Sequence, residues 1–146
     1  MKIAFGCDPN AVELKINLIK LCKNIGHETV DLGSEDNIYA NTAFNVAKYV
    51  ASGKTDRGVL VCGTGIGMSI AANKVKGAHA ALITDVYSAE RAVLSNNANI
   101  ACFGAFTLGS KLVESLLSIW LGLKFDEQSS SQLKVQRILD YEKETV

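Results

Sequence analysis

Short apolar runs alternate with longer amphipathic segments along the first 125 residues of the chain. Each run is short, as expected of strands that are buried on both faces of a parallel sheet. The pattern predicts five strands, at residues 2–7, 29–32, 59–61, 78–83 and 100–103.

The segments between these runs carry apolar side chains at helical spacing. In the first of them Leu14, Leu18 and Ile25 follow this spacing, Lys15 falls on the predicted solvent side, and Gly26 ends the helix. The pattern predicts further helices at 42–51, directly after Gly67, at 86–94, at 108–123 and at 133–144.

Strands and helices that alternate at this spacing favour a parallel sheet with helices on both faces. We therefore predict an α/β fold of three layers, α/β/α, of the Rossmann-like kind. One domain is predicted to span residues 1–146, with an α/β core at 1–124 and a linker and C-terminal helix at 125–146. The narrow apolar stripe of that helix, formed by Val135, Ile138 and Leu139, needs a partner, which we expect to be a neighbouring subunit. Trp120 and Phe125 are predicted to lie in the core, with a dimer contact as the alternative.

Composition narrows the classes of function. The chain has 15 basic and 15 acidic residues, so it offers no basic field for nucleic acid or anionic lipid. No apolar run approaches the roughly 20 residues of a membrane span. The four cysteines, at 7, 22, 62 and 102, are widely spread, and there are only two histidines, so neither a disulfide framework nor a metal site is predicted. We expect a cytoplasmic protein with no nucleic-acid partner, no membrane partner and no cofactor.

The stretch most informative about chemistry is 58–75, GVLVCGTGIGMSIAANKV, where a buried strand turns through three glycines into an Ala-rich helix. The glycines permit a tight turn and the close approach of a ligand, and the helix that follows offers free N–H groups. An anion fits there. The same field favours a thiolate, so Cys62 is a candidate base or nucleophile. The alternative is an inert buried cysteine, the commoner role at a strand end. The candidate anion-binding residues are Gly63, Gly65, Ile66 and Gly67.

Several segments together carry a family resemblance: CGTGIGMSIAANKV at 62–75, TDVYSAE at 84–90, FGCD at 5–8, ELK at 13–15 and SNNANIACFGAF at 95–106. Over about the first 125 residues the chain resembles the ribose-5-phosphate isomerase B family, which includes the galactose-6-phosphate isomerase subunits. The resemblance implies a five-stranded parallel sheet and a metal-free aldose–ketose sugar-phosphate isomerase. It also implies a homodimer, or a dimer of dimers, with sites at the subunit interface.

The resemblance further implies a role for each part of the glycine turn. Cys62 would move a proton between C1 and C2 of the sugar through a cis-enediolate, and the N–H groups of Gly63 to Gly67 would hold the enediolate oxygen. Thr64 would relay or orient the proton between substrate oxygens, although a helix-capping hydroxyl is the alternative.

Other candidates lie near strand ends, because sheets of this kind bind ligands outside the carboxyl ends of their strands. Asp8 directly follows the first strand and is a candidate for holding a sugar hydroxyl, with an N-cap before Pro9 as an equal alternative. Asn96 and Asn99 precede the fifth strand. Turn and cap roles are commoner for such residues, but the resemblance favours substrate binding.

The chain departs from the family pattern at four places. Pro9 and Ser95 stand where the family commonly has histidines, and the second of these is held to open the sugar ring. Phe106 stands where the family has a phosphate-binding arginine, and 127–130, EQSS, replaces a Gly-Gly-Arg-His motif. Lys134 and Arg137 are candidates to replace part of that basic cluster, reaching the site of a neighbouring subunit. A solvated helix face is the alternative for both.

The missing ring opener suggests a substrate that needs no ring opening. A tetrose 4-phosphate cannot close a furanose ring because its terminal oxygen is esterified, so a substrate of the erythrulose or erythrose 4-phosphate type fits, with a pentose phosphate as the other candidate. Two further hypotheses remain. The chain is either one subunit of a hetero-oligomer of the galactose-6-phosphate isomerase type, or a sugar-phosphate-binding protein without turnover.

Overall fold

The computed structural model describes residues 1–145, so Val146, the last residue of the predicted domain, lies outside it. The strands are β1 Lys2–Cys7, β2 Glu28–Asp31, β3 Arg57–Cys62, β4 Ala80–Leu82 and β5 Ile100–Gly104. The helices are α1 Val12–Asn24, α2 Tyr39–Ala51, α3 Ile66–Ala72, α4 Val86–Leu94, α5 Ser110–Gly122 and α6 Gln132–Glu144. A short 3₁₀ turn at Pro9–Ala11 precedes α1.

The five strands form one parallel sheet in the order β2-β1-β3-β5-β4. The central strand β3 pairs with β1 and β5, which places Cys7 beside Val61 and Cys62 beside Gly104. Because all strands run in the same direction, the C-terminal ends of β1, β3 and β5 lie side by side, and we call this end of the strands the carboxyl edge. The opposite edge, where the strands begin, is the amino edge.

Helices cover both faces of this sheet. On one face the core is built from side chains of α1, α4 and α5, including Leu18, Val93 and Trp120. On the other face α2 and α3 contribute Val46 and Met68. The predicted α/β/α fold is confirmed. Trp120 is fully buried and Phe125 nearly so, in agreement with their predicted place in the core.

Two element boundaries differ from the sequence prediction. Helix α2 begins at Tyr39, before the predicted start at residue 42, because the Asp36 carboxylate accepts bonds from Ile38 N (2.8 Å) and Asn41 Nδ2 (2.9 Å) and so organises the chain just before and within the first turn. Strand β4 is only three residues long. It is the outermost strand of the sheet and pairs with β5 alone. Its first residue, Ala80, also bonds the side chain of Asn73.

The predicted solvent position of Lys15 is wrong. Its side chain is buried, with 2 % of the residue exposed, and its Nζ lies 2.7 Å from Asp31 Oδ1. Helix α1 crosses β1 and β2 so that the ammonium group meets the carboxylate at the end of β2. The helical spacing of apolar residues does not reveal an ion pair that forms only in the tertiary structure.

The C-terminal helix α6 packs against its own chain. Val135 is buried, and Glu142 Oε1 accepts a bond from Gly77 N at 2.9 Å while its other oxygen lies 3.6 Å from His79 Nε2. Gly77 and His79 come just before β4, so α6 is anchored at the amino edge of the sheet. Ile138 remains exposed, and the contact of this helix with a neighbouring subunit stays a prediction. None of the helices formed by residues 1–145 is long and apolar enough to cross a bilayer.

Candidate active site

Strand β3 carries Cys62 to the carboxyl edge at the middle of the sheet. The thiol is nearly shielded from solvent, with 5 % of the residue exposed, and Gly65 N–H donates a hydrogen bond to Cys62 Sγ at 3.0 Å. A backbone donor at this distance stabilises negative charge on the sulfur. The turn thus points a backbone N–H at the one atom predicted to act as a base.

Two glycines allow this turn to form. Gly65 has a φ of +76°, and a methyl group added to it would lie 2.9 Å from the backbone carbon of Phe103. Gly104, at the end of β5, approaches Thr64 so closely that an added methyl group would lie 2.7 Å from that residue's carbonyl carbon and oxygen. Side chains would be strained or excluded at both positions, so the loop after Cys62 is held tightly against the end of the neighbouring strand.

The other polar group of the loop is the Thr64 hydroxyl. Its oxygen accepts a bond from Ile66 N at 3.3 Å, which is longer than the usual N–H to oxygen bond, and the residue is exposed. The hydroxyl thus contacts the first residue of α3, but the N-cap of that helix is Gly65 and no side chain caps it. The contact of Thr64 with substrate stays a prediction. Helix α3 has seven residues, so the local N–H groups of residues 63–67 matter more here than a long helix dipole.

Two aromatic rings that sequence reasoning did not place in the site lie against this loop. A methyl group added at Gly67 would lie 2.6 Å from Tyr39 Cε2, and one added at Gly63 would lie 2.8 Å from Phe106 Cδ2. Tyr39 was missed because it lies before the predicted start of the second helix at residue 42. For Phe106 there were two signals: its place two residues after β5, and the resemblance, which puts it at the position of a phosphate-binding arginine.

Asp8 also lies at the carboxyl edge, at the end of β1. Its N–H donates to Val61 O at 3.1 Å, and its Oδ1 accepts a bond from Asn10 N at 2.8 Å. The predicted N-cap role is therefore seen, and it uses only one of the two carboxylate oxygens. Binding of a sugar hydroxyl by Asp8 stays a prediction.

The remaining predicted site residues lie at the amino edge, away from Cys62. The Asn99 side chain bonds His79 N (2.8 Å) and Gly77 O (2.9 Å), just before β4. Asn96 follows the end of α4, is exposed, and donates to Arg91 O. Within a single chain these asparagines lie at the edge opposite Cys62, because they precede β5 whereas Cys62 ends β3, and their part in substrate binding stays a prediction.

The two candidate cations are on α6, which is anchored at the same amino edge. Lys134 is exposed, and the Arg137 guanidinium pairs with Glu144 at 3.1 Å and lies over the ring of Tyr141. The structure therefore divides the predicted site into two groups of residues. Cys62, Thr64, the glycines and Asp8 lie at the carboxyl edge, and Asn96, Asn99, Lys134 and Arg137 lie near the amino edge.

The other three cysteines are buried elsewhere in the core. Burial raises the pKa of the Cys7 and Cys22 thiols to about 11. Burial, and then the nearby Cys62, raise the pKa of the Cys102 thiol well above its usual range. These three groups remain protonated at neutral pH, which leaves Cys62 as the candidate for acid–base chemistry.

Known proteins share the parallel α/β/α fold that carries Cys62 and the glycine turn in this chain. Residues 3–138 match the Ribose/Galactose Isomerase family, and the chain belongs to that family. The aldose–ketose isomerase class predicted from the sequence is thereby confirmed.

Three known proteins show how close the likeness is. The chain is 50 % identical over 117 residues to D-erythrulose-4-phosphate isomerase 2 of Mycolicibacterium smegmatis. The aligned region covers 79 % of this chain and 77 % of that protein. The chain is 49 % identical over 138 residues to ribose-5-P isomerase B of Listeria innocua, covering 92 % and 93 %. The solved structure of Clostridium thermocellum ribose-5-phosphate isomerase B matches with a TM-score of 0.94 at 36 % identity, covering all of both chains.

Proposed function

We propose that this protein interconverts the aldose and ketose forms of a short sugar phosphate, with Cys62 as the base. The observation that carries the proposal is the bond from Gly65 N–H to Cys62 Sγ at the end of the central strand. It combines in one turn a sulfur that can take a proton and backbone donors that can hold an oxyanion.

In the proposed reaction Cys62 removes a proton from the carbon next to the carbonyl group. The resulting cis-enediolate carries negative charge on oxygen, which the N–H groups of residues 63–67 stabilise. Thr64 passes the hydroxyl proton between the two oxygens, and Cys62 returns its proton to the neighbouring carbon. A positioned base contributes about 10²–10⁴ in rate, and each oxyanion donor contributes about 10²–10³.

The substrate we propose is a tetrose 4-phosphate, interconverted with D-erythrulose 4-phosphate. The position of the family's ring-opening histidine is held by Ser95, whose hydroxyl oxygen lies 3.4 Å from an Arg91 nitrogen and is a poor general acid at neutral pH. The name of the Mycolicibacterium relative supports a four-carbon substrate, whereas that of the Listeria relative favours a five-carbon one. A pentose phosphate is therefore the second candidate.

We further propose a homodimer, or a dimer of dimers, in which two copies complete each site. The carboxyl edge supplies the base and the donors but, among the site residues of one chain, no cation for a phosphate group. Lys134, Arg137 and Asn96 of a second copy would supply the polar groups that the carboxyl edge lacks. Apolar side chains that the single chain leaves exposed favour such an interface: Ile66, Ile70, Val86 and Tyr87.

We infer a single domain that works in the cytoplasm. All four cysteines are free, as is usual for proteins kept in a reducing compartment. The proposed division into a core at 1–124 and a C-terminal linker and helix at 125–146 is supported by the gap between the end of α5 at Gly122 and the start of α6 at Gln132.

The proposal is tested by assaying the purified chain on three ketoses side by side: D-erythrulose 4-phosphate, D-ribulose 5-phosphate and a hexulose 6-phosphate. We expect the four-carbon substrate to give the highest kcat/KM. Faster turnover of the five-carbon substrate would contradict the proposed substrate but not the reaction. Absence of turnover on all three would contradict the proposed activity of this chain alone, and recovery on adding an unlike family subunit would indicate a hetero-oligomer.

A further inference from the structure

We infer that Phe106 sets the length of the sugar phosphate that the site accepts, by forming an apolar wall beside the Cys62 loop. This inference rests on the proposed function and names a specificity residue for it.

Backbone bonds hold Phe106 next to the catalytic loop. Phe106 N donates to Gly63 O at 2.9 Å, and Ala105 N donates to Cys62 O at 2.8 Å, so the chain after β5 runs beside the chain after β3. The Phe106 ring occupies the space that a side chain at Gly63 would fill, since an added methyl group would lie 2.8 Å and 3.1 Å from two ring carbons. Movement of the ring therefore changes the space directly beside the residue that follows Cys62.

Burial in the hydrophobic core does not account for the position of the Phe106 ring. Phe106 is 72 % exposed, although most phenylalanines bury their rings in the core. The ring lies against Gly63 and leaves most of its surface open to solvent. A substrate bound at Cys62 would cover this apolar surface.

Phe106 also borders a cavity of about 260 Å³ between the start of α1 and residues 105–110. Its polar lining includes Asn10 of the 3₁₀ turn, Glu13 in the first turn of α1 and Ser110, the first residue of α5. This volume is several times the roughly 30 Å³ that one water molecule occupies in the liquid, so it has room for additional hydroxyl-bearing carbons. Phe106 therefore contacts the Cys62 loop at Gly63 and also lines this cavity.

It follows that removal of the ring would join the cavity to the site and admit a longer substrate. In an apolar pocket a difference of about one carbon changes kcat/KM by roughly 10–200-fold. We therefore expect Phe106 to discriminate between four-carbon and five-carbon ketose phosphates, with little effect on the proton transfer itself.

The test measures kcat/KM on D-erythrulose 4-phosphate and D-ribulose 5-phosphate for the wild type, Phe106→Ala, Phe106→Leu and the control Ile25→Ala. The control removes an exposed apolar side chain at the far end of α1. We expect the preference for the four-carbon ketose to fall about tenfold or more in Phe106→Ala, less in Phe106→Leu, and not at all in Ile25→Ala. The fall should come mainly from a rise in kcat/KM for the five-carbon ketose.

A ratio that stays within about twofold of wild type in Phe106→Ala would overturn the inference. So would an equal loss on both substrates, because it would show that the ring merely supports the loop. Thermal melts check folding, and Phe106→Leu keeps most of the side-chain volume if the alanine variant unfolds. A wild type that prefers the five-carbon ketose would contradict the proposed substrate, and a wild type inactive on both would overturn the proposed function and this inference together.

Discussion

Environment separates Cys62 from the other cysteines. Cys62 Sγ accepts a backbone N–H bond at a loop, whereas Cys7 and Cys22 lie among apolar side chains in the core on one face of the sheet. Burial raises the pKa of both core thiols to about 11, so they stay protonated in the folded protein when the unfolded chain has begun to ionise. The same residue type therefore serves as packing at two positions and as a candidate base at a third.

A dependence of stability on pH follows from the two core thiols. Their pKa is raised on folding from 9.0 to about 11, so their contribution is complete below pH 9 and is lost as the pH rises from 9 to about 11. Each thiol contributes a slope of at most about 1.4 kcal/mol per pH unit in that window. Urea unfolding of the wild type and of a Cys7→Ala/Cys22→Ala variant checks this. The variant should have a flatter profile above pH 9, and an equal slope would contradict the assignment.

Gly65 is the residue on which the geometry of the loop depends most. Alanine there would combine a φ of +76° with a methyl group 2.9 Å from the backbone of Phe103. We expect Gly65→Ala to lower the free energy of unfolding by about 1–3 kcal/mol and to reduce kcat/KM by at least about tenfold, because the N–H that bonds Cys62 must move.

Gly122→Ala is the matched control, since nothing lies within 4 Å of a methyl group added at this last residue of α5. It should leave activity unchanged and keep or slightly raise stability, because alanine favours helices over glycine by up to about 1 kcal/mol. Urea unfolding and kinetic assays of both variants supply the comparison. Equal behaviour of the two would show that the turn tolerates a side chain at position 65.

Individual residues also show which features the sequence predicts and which it does not. The glycine turn and its cysteine were predicted from residue type and spacing, because a tight turn at a strand end leaves a local signature. The burial of Lys15 and the bonds of the Asn99 side chain left no such signature, because Asp31, Gly77 and His79 meet these residues only after the chain has folded.

At the scale of elements, a side chain from the start of the central strand binds carbonyl groups at the C-terminal end of α5. Arg57, the first residue of β3, donates to Trp120 O (2.6 Å) and Leu123 O (2.7 Å), and its guanidinium lies 4.6 Å from the centre of the Trp120 ring. These bonds satisfy carbonyl groups that a helix end leaves without partners inside the helix. They also tie β3, which carries Cys62, to the helix layer.

We expect Arg57→Ala to lower the free energy of unfolding by about 2 kcal/mol or more, because two partly buried carbonyl groups lose a charged donor. Arg57→Lys should lower the free energy of unfolding by an intermediate amount, because an ammonium group cannot reproduce the geometry in which the guanidinium group donates to both carbonyl oxygens. The control is Lys143→Ala, whose exposed ion pair with Asp140 at 3.5 Å should contribute less than about 1 kcal/mol. Equal losses for Arg57→Ala and Lys143→Ala in urea unfolding would contradict the capping role.

Periodicity predicted all five strands and the existence of every helix, and it was weakest at the boundaries. Helix α2 begins at Tyr39 without a capping side chain at Ile38, so the sequence carried no start signal there. At the start of strand β4 the N–H of His79, the residue before it, bonds Asn99, and the N–H of Ala80, its first residue, bonds Asn73. Both boundaries are therefore fixed by side-chain contacts that apolar periodicity does not report.

At the scale of the whole molecule, the predicted site residues lie at two opposite edges of one sheet. Among the predicted site residues, a single chain therefore places the base at the carboxyl edge and the two candidate cations, Lys134 and Arg137, on α6. If the proposed dimer brings the carboxyl edge of one copy close to α6 of the other, each site contains Cys62 of one copy and Arg137 of the other. Closed twofold symmetry then gives two such sites.

Mixing two inactive variants tests this arrangement. Cys62→Ala and Arg137→Ala should each have little activity alone, but a mixed dimer contains one intact site and one site that lacks both groups. Random exchange of subunits should restore about a quarter of wild-type activity, because about half of the dimers are mixed and each has one working site. Mixed dimers shown by native mass spectrometry to form without gaining activity would contradict sites shared between subunits.

The measurement that tests the central claim most directly is exchange of substrate hydrogen in deuterated water, compared between the wild type and Cys62→Ala. The wild type should incorporate deuterium at C1 of D-erythrulose 4-phosphate or at C2 of the aldose formed from it, and Cys62→Ala should lose this exchange by at least about 10²-fold while keeping its melting curve. Exchange that persists in a folded Cys62→Ala protein would show that another group moves the proton.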